Sequence, residues 1–342
     1  MSSDSLEIRP IDLLDDGRLA DAERWCDVHA AVQRELFGDK GSSWTLEEIR
    51  AFHRSDEKLR VARAAWIGGE LVGALDMIMP LADNPSMAIL WLSVDAAHRG
   101  RGVGSALLAE AERVGAEHGR TLFNAETEWA EGSADASESF ARARGFTIGL
   151  TMLRSDLALP MDREALDAAL GGNDGADDYV LESFVDHMPE EWLDDRAVLQ
   201  QRMSTDAPTD DLQVEEEVWD ADRLRSNYER ARSSGRRIVE TVARHVPSGR
   251  LVGFTSVSIS AGEPELAYQQ DTLVLREHRG HGLGLRLKAA NALRLMDELP
   301  EVTSVRTWNA ASNAHMLAVN RRLGYRVDGY SREWQKQAGV AE

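Results

Sequence analysis

Cysteine is nearly absent: Cys26 stands alone among 342 residues. No internal disulfide and no cysteine-ligated zinc can form, which fits a reducing compartment. Lysine is scarce, at Lys40, Lys58, Lys288 and Lys336, while arginine is plentiful, a bias of coding rather than of function. Positive charge is outweighed, with 39 Lys and Arg against 59 Asp and Glu and a net charge of −20. Nucleic acids and anionic membranes need a basic face, so both are disfavoured as partners. The acidic field serves solubility or draws in cationic, amine-bearing molecules. No apolar run approaches the ~18 residues needed to cross a bilayer. The opening Met1-Ser2-Ser3-Asp4-Ser5 lacks the charged and apolar regions of a signal peptide. The nine histidines show no H-E-x-x-H or paired ligand spacing, so no metal site is expected. These absences lead to the expectation of a cytoplasmic protein.

What the chain does have is a repeat. Residues 94–107 and 274–287 share Val, His, Arg, three Gly and the last Leu without a gap, 180 residues apart. Gly145-Phe146 and Gly324-Tyr325 lie 179 apart, each after an amphipathic stretch. Val72-Gly73 and Val252-Gly253 lie 180 apart. A near-constant offset indicates two related domains, as the length also does. The join is expected in the Gly- and Asp-rich stretch around Gly171–Asp178. This gives one domain over 1–158, a linker over 159–177 and a second domain over 178–342.

Each half reads as the same series of elements. In the first, Leu6–Pro10 alternates like a strand, and helices are expected over 17–37 and 46–56, the second opened by the capping box Thr45-Leu46-Glu47-Glu48. Val61–Ile67 and Glu70–Ile78 flank Gly68-Gly69 as a hairpin, and Ala88–Val94 is a buried strand. A glycine turn, a helix to Gly119, a strand at Thr121–Ala125, a helix over 135–144 and final strands over Phe146–Leu157 follow. The second half repeats this order, with helices near 190–203, 218–233, 283–297 and 312–322. The fold class is mixed α/β, each domain a six- to seven-stranded mixed sheet flanked by helices.

The repeated turn carries the chemistry. The first N–H groups of a helix are unpaired and bear partial positive charge. Glycines let those groups approach a ligand, and Arg99, Arg101, Arg279 and His281 add basic side chains, a combination suited to pyrophosphate. The spacing is not G-x-x-x-x-G-K-[ST], which excludes a P-loop. Gly100, Gly102 and Gly104 give G-x-G-x-G without a following ribose-binding acid, which disfavours a dinucleotide site.

The pattern [RQ]-x-x-G-x-[GA] is present as Arg99-Gly100-Arg101-Gly102-Val103-Gly104 and Arg279-Gly280-His281-Gly282-Leu283-Gly284. It resembles the acyl-CoA-binding motif of the GNAT superfamily of N-acetyltransferases, and the order of elements resembles two such domains in tandem. Thr307–Asn313, Met316, Asn320 and Leu323-Gly324-Tyr325 are similar to the ends of GNAT domains in actinobacterial tandem proteins, a group that includes mycothiol synthase. The resemblance implies acetyl-CoA as co-substrate, a small-molecule amine as acceptor, and a chain that is a monomer or a homodimer. The pyrophosphate would meet the turn from Arg99 to Ser105 or from Arg279 to Leu285. Pantetheine would pair with Leu92, Ser93 and Val94, or with Thr272, Leu273 and Val274. Asn313 stands where an asparagine often contacts CoA.

Direct attack of an amine on the thioester needs a base. The resemblance points to Glu126, and less to Glu128, in the first half and to Asp271 in the second, with a surface carboxylate as the plain alternative for each. Many members place a tyrosine as proton donor four residues before the final Gly-aromatic pair. Here Ala141 and Asn320 stand there, and Asn320 is left to hydrogen-bond the sulfur or to pack. Two readings therefore stand: an N-acetyltransferase, or an acyl-CoA-binding protein in which one or both halves do not turn over.

Overall fold

The computed structural model describes residues 5–171 and 178–338. In chain order the elements are β1 (Leu6–Pro10), α1 (Leu19–Phe37), α2 (Leu46–His53), β2 (Lys58–Ile67), β3 (Glu70–Pro80), β4 (Met87–Val94), α3 (Val103–Glu117), β5 (Leu122–Ala130), α4 (Glu138–Ala143) and β6 (Thr147–Ala158). There follow α5 (Arg163–Leu170), β7 (Tyr179–Val185), α6 (Leu193–Asp206), α7 (Ala221–Ser233), β8 (Arg237–His245), β9 (Leu251–Ser260), β10 (Glu263–Val274), α8 (Leu283–Glu298), β11 (Ser304–Ala310), α9 (Ala314–Leu323) and β12 (Arg326–Gln337).

The local signals act as expected. Thr45 Oγ1 accepts from the Glu48 N–H at 3.3 Å, and Glu48 Oε2 accepts from the Thr45 N–H at 3.0 Å, so both halves of the capping box form at α2. Gly68 and Gly69 take φ of +59° and +88°, the left-handed pair that a tight β2–β3 turn needs. Two expectations need adjusting. β5 runs on to Ala130, because Thr127 and Trp129 continue the strand-forming alternation; this places Glu126 and Glu128 inside a strand rather than beyond it. The stretch 159–177 carries α5, capped by Asp162, whose side chain accepts from the Glu164 N–H at 3.0 Å. Residues 172–177, where the join was expected, lie outside the described residues.

The chain divides into two compact units. Unit 1 comprises Met1–Thr151, Asp211–Gln213 and Tyr330–Glu342; unit 2 comprises Met152–Asp210 and Val214–Gly329. In unit 1 the sheet runs β1-β2-β3-β4-β5, and its next strand is Tyr330–Gln337, from the far end of the chain. Two apolar layers cover it. Leu107, Leu108 and Ala111 of α3 pack with Leu75, Met77, Phe123 and Trp334 on one face. Trp25, Val28 and Ile49 of α1 and α2 pack with Ala64 and Ala74 on the other. Trp334 is fully buried, and its indole N–H donates to Thr127 Oγ1 at 2.8 Å.

Unit 2 has the same plan. Its strands run β7-β8-β9-β10-β11, followed by Met152–Ala158 of β6 paired antiparallel to β11. Leu285, Ala289 and Leu295 of α8 pack with Val257, Val305 and Tyr325 on one face. Leu199 and Leu224 of α6 and α7 pack with Phe254 and Leu273 on the other. Among the described residues no helix is long and apolar enough to cross a membrane.

A fragment ending at Ala158 lacks Trp334 and the strand that carries it. Loss of a buried tryptophan alone costs about 3–5 kcal/mol. The fragment is expected to show no cooperative thermal transition by circular dichroism, whereas the whole chain does. A cooperative transition in the fragment would contradict the assignment of Tyr330–Gln337 to the core of unit 1.

Candidate active site

In unit 1 the parallel strands β4 and β5 pair only over Met87–Leu90 and Leu122–Ala125. Beyond that register they separate, leaving Trp91–Val94 on one side and Glu126 on the other. A cavity of about 760 Å³ opens at the separation, lined by residues of α1, β4, the glycine turn, α3, β5 and α4, together with Trp334.

The turn forms the mouth of this cavity. Gly102 is the N-cap of α3 at φ +85°, and Gly100 stands at φ +72°. A Cβ at either would meet nothing within 4 Å, so the space over the turn is open to a ligand. The first helical hydrogen bond runs from the Ala106 N–H to the Gly102 carbonyl at 3.0 Å. The N–H groups of Val103, Gly104 and Ser105 therefore precede the ladder and carry the positive end of the helix. This arrangement suits an anion such as a pyrophosphate.

Arg99 of the motif is paired within the protein. Arg99 donates from Nε to the Val94 carbonyl at 3.2 Å and from both Nη atoms to Glu35 at 2.8 and 2.6 Å. The pairing holds the Glu35 carboxyl below its usual range. Arg99 thus ties the turn to β4 and α1. Arg101 is exposed and outside the cavity lining. The cation beside the cradle is Arg144, which lines the cavity and donates to Ser105 Oγ at 2.5 Å. The sequence pattern gave no signal for it, because it comes from the far end of α4. Leu92, Ser93 and Val94 line the cavity.

Glu126 sits at the point of strand separation. Its side chain is exposed to the cavity. Burial pushes its pKa up to about 8, the charges of Glu128 and Glu333 add to the rise, and the Ser331 hydroxyl works against it. Burial also raises Glu333. Strand alternation puts Glu128 on the same face as Glu126, where it accepts from Gln33 Nε2 of α1 at 2.6 Å. On this side His29 accepts or donates at Nδ1 with Ser93 Oγ at 2.8 Å and stacks on Trp91 at 4.1 Å. Burial pushes His29 down to about 3, so the ring is neutral. His29, Gln33 and Trp91 have no motif, and only the packing of α1 over β4 brings them to the cavity. Ala141 also lines it and offers no acid.

Unit 2 repeats the turn but not the surroundings. Gly280 and Gly282 take φ of +91° and +69°. Arg279 donates from Nε to the Val274 carbonyl at 3.0 Å and from Nη2 to Asp206 at 3.1 Å, the same tether as in unit 1. His281 lies against Tyr179, with ring centroids 5.4 Å apart. Leu283 and Leu285 are buried in apolar clusters. On β10, Thr272 Oγ1 bonds Thr255 Oγ1 at 2.7 Å, and Leu273 packs into the core. Asp271 accepts from Gln200 Nε2 at 2.8 Å. Asn313 caps α9, accepting from the Met316 N–H at 3.1 Å. Asn320 is buried between Lys288 and Asn309. At Gly284, the second residue of α8, an added Cβ would meet nothing within 4 Å.

The comparisons with known proteins accord with this geometry. Residues 25–146 match the Acetyltransferase (GNAT) family. The tandem GNAT protein from the clavulanic acid biosynthesis pathway (without AcCoA) is 28% identical, covering 99% of this chain and 100% of that one with a TM-score of 0.80. Residues 25–146 thus carry the match to the GNAT family, and the whole chain shares the fold of a tandem GNAT protein. A GCN5-related N-acetyltransferase from Sphaerobacter thermophilus shares the fold at 18% identity, 98% and 97% coverage and a TM-score of 0.67. A putative acetyltransferase from Pyrococcus horikoshii shares it at 12% identity, 98% and 91% coverage and a TM-score of 0.56. No curated protein matches the chain.

The environment of Glu126 has a stability signature. Its folded pKa of about 8 exceeds its unconstrained value of 4.5, so the folded state holds a proton that the unfolded state releases. The wild type must then lose stability as pH rises between those values, and Glu126→Gln does not. The Tm of Glu126→Gln relative to wild type is expected to rise from about pH 5 to about pH 8. A difference that stays flat or falls would show Glu126 to be an ordinary solvated carboxylate.

Proposed function

We propose that unit 1 is an acetyl-CoA-dependent N-acetyltransferase acting on a small cationic amine, with Glu126 as general base. The observation that carries this reading is the placement of Glu126: it lines the same cavity as the glycine turn, where β4 and β5 part. The N–H groups at the start of α3, with Arg144 nearby, would hold the pyrophosphate, and the unpaired edge of Trp91–Val94 would hold pantetheine. The bound thioester supplies an activated acyl carbon.

The rest is the work of this chain's side chains. An amine arrives as an ammonium and must lose a proton before its nitrogen can attack. A carboxylate with pKa about 8 matches that task near neutral pH better than an ordinary one. Glu126 takes the proton, the nitrogen–carbon bond forms and the carbon–sulfur bond breaks. The thiolate leaves without a phenol donor at Ala141. A thiol of pKa near ~8.5 is a good enough leaving group to take its proton from water. Glu128 and Glu333 make the acceptor side electronegative, which favours cationic acceptors, and the net charge of −20 acts in the same direction. His29, neutral and stacked on Trp91, shapes the same side.

Glu126→Gln is expected to lower kcat by about 10²–10⁴ while leaving acetyl-CoA affinity unchanged, measured by thiol release over a panel of polyamines, amino sugars and aminoglycosides. The wild-type rate is expected to rise with pH and level off above about 8. Glu128→Gln removes a like charge and is expected to move that rise to lower pH. Full activity in Glu126→Gln would eliminate it as the base. Acetyl-CoA binding without turnover on any amine would favour the binding-protein reading.

A further inference from the structure

The two units correspond position by position through their helix caps, helix ends and strand registers. The motif helices α3 and α8 both start one residue after a left-handed Gly cap, so Leu108 and Lys288 are equivalent sixth residues. Helices α4 and α9 both end with an aromatic N–H returning to the carbonyl five residues back, Phe146 to Ala141 at 3.1 Å and Tyr325 to Asn320 at 3.0 Å. Ala141 and Asn320 are thus equivalent. In the parallel pairs, Met87 faces Leu122 in unit 1 and its counterpart Ala267 faces Val305 in unit 2. Counting along each strand, Glu126 corresponds to Asn309. The offset here is 183 rather than 180, because the path from the motif helix to the next strand is three residues longer.

Leu108, Ala141 and Glu126 all line the unit 1 cavity. Their counterparts bond one another. Lys288 Nζ donates to Asn320 Oδ1 at 2.7 Å, and Asn320 Nδ2 donates to Asn309 Oδ1 at 2.6 Å. Lys288 and Asn320 are buried, at 4% and 3% exposure, and the ammonium stands 4.8 Å from the Tyr325 ring centroid. The chain of contacts runs from α8 through α9 to β11, across the place where β10 and β11 part after Tyr268 and Arg306.

We propose that Lys288, Asn320 and Asn309 form an internal strap that closes the acyl-CoA cleft of unit 2, so that the chain binds one acyl-CoA, in unit 1. A buried lysine is expensive unless its donors are satisfied, and a leucine fills the same place in unit 1. The strap satisfies Lys288 with Asn320 and the Tyr325 face, and in doing so fills the space that a thioester would need. Burial also depresses the Lys288 pKa to about 7, which lessens the charge the strap must hold. The proposal rests on the reading of unit 1 as an acyl-CoA site.

The test is the number of acetyl-CoA equivalents bound by the full chain in calorimetric titration. One equivalent is expected in wild type, none in Gly102→Trp and one still in Gly282→Trp. Two equivalents in wild type, or loss of binding in Gly282→Trp, overturns the strap. No binding in wild type instead overturns the acyl-CoA reading itself, so the two failures are distinct. The variant Lys288→Leu with Asn320→Ala restores the unit 1 residues and is expected to bind a second equivalent. A folded double variant that still binds one overturns the strap; should it fail to fold, the wild-type and Gly282→Trp titrations decide.

Discussion

Parallel strands β4 and β5 share hydrogen bonds only from Met87 to Leu90 and from Leu122 to Ala125, and the site in unit 1 grows from where that pairing stops. A strand edge left without a partner exposes N–H and C=O groups that need other company. Here those groups face a cavity rather than solvent or another strand. The same separation brings the start of α3, a source of unpaired N–H groups, beside the first residue of β5 that is free of β4, Glu126. Anion cradle, strand edge and carboxylate thus follow from one interruption of one ladder.

The glycine turns depend on a tether that both units share. The guanidinium that opens each motif bonds the carbonyl five residues earlier and an acid contributed by a helix: Glu35 for Arg99 and Asp206 for Arg279. A charge paired in this way shapes the loop. The cradle can then rely on backbone N–H groups, whose direction is set by the left-handed Gly102 and Gly282 caps. This explains why the motif recurs in unit 2, where its surroundings have changed: the motif is a device for turning a strand into a helix as well as for holding phosphate.

Much of this was legible in the sequence. The doubled motif, the capping box at Thr45 and the Gly68-Gly69 turn act through neighbours a few residues away, so local pattern predicts them. Glu126 was reachable because it stands at a fixed distance along the strand that follows the motif helix. The protein partners of Arg99 and Asn320 were not, because Glu35 and Lys288 lie far from them in the chain. Arg144, His29 and Gln33 carry no signature at all, since their value lies only in what packs beside them.

By itself the sequence determined the two-fold repeat, the mixed α/β class and the position of both turns, because periodicity and glycine stereochemistry are encoded residue by residue. Only the tertiary structure decided which strand completes which unit. Tyr330–Gln337 belongs with unit 1 through backbone hydrogen bonds and the burial of Trp334, neither of which has a sequence code. It also decided the fates of the two clefts. Glu126 lines a cavity near Glu128 and Glu333, while Asn309 is bonded to Asn320, which Lys288 bonds in turn. Burial and pairing are set by residues distant in the chain, and those contacts give two similar motifs different surroundings.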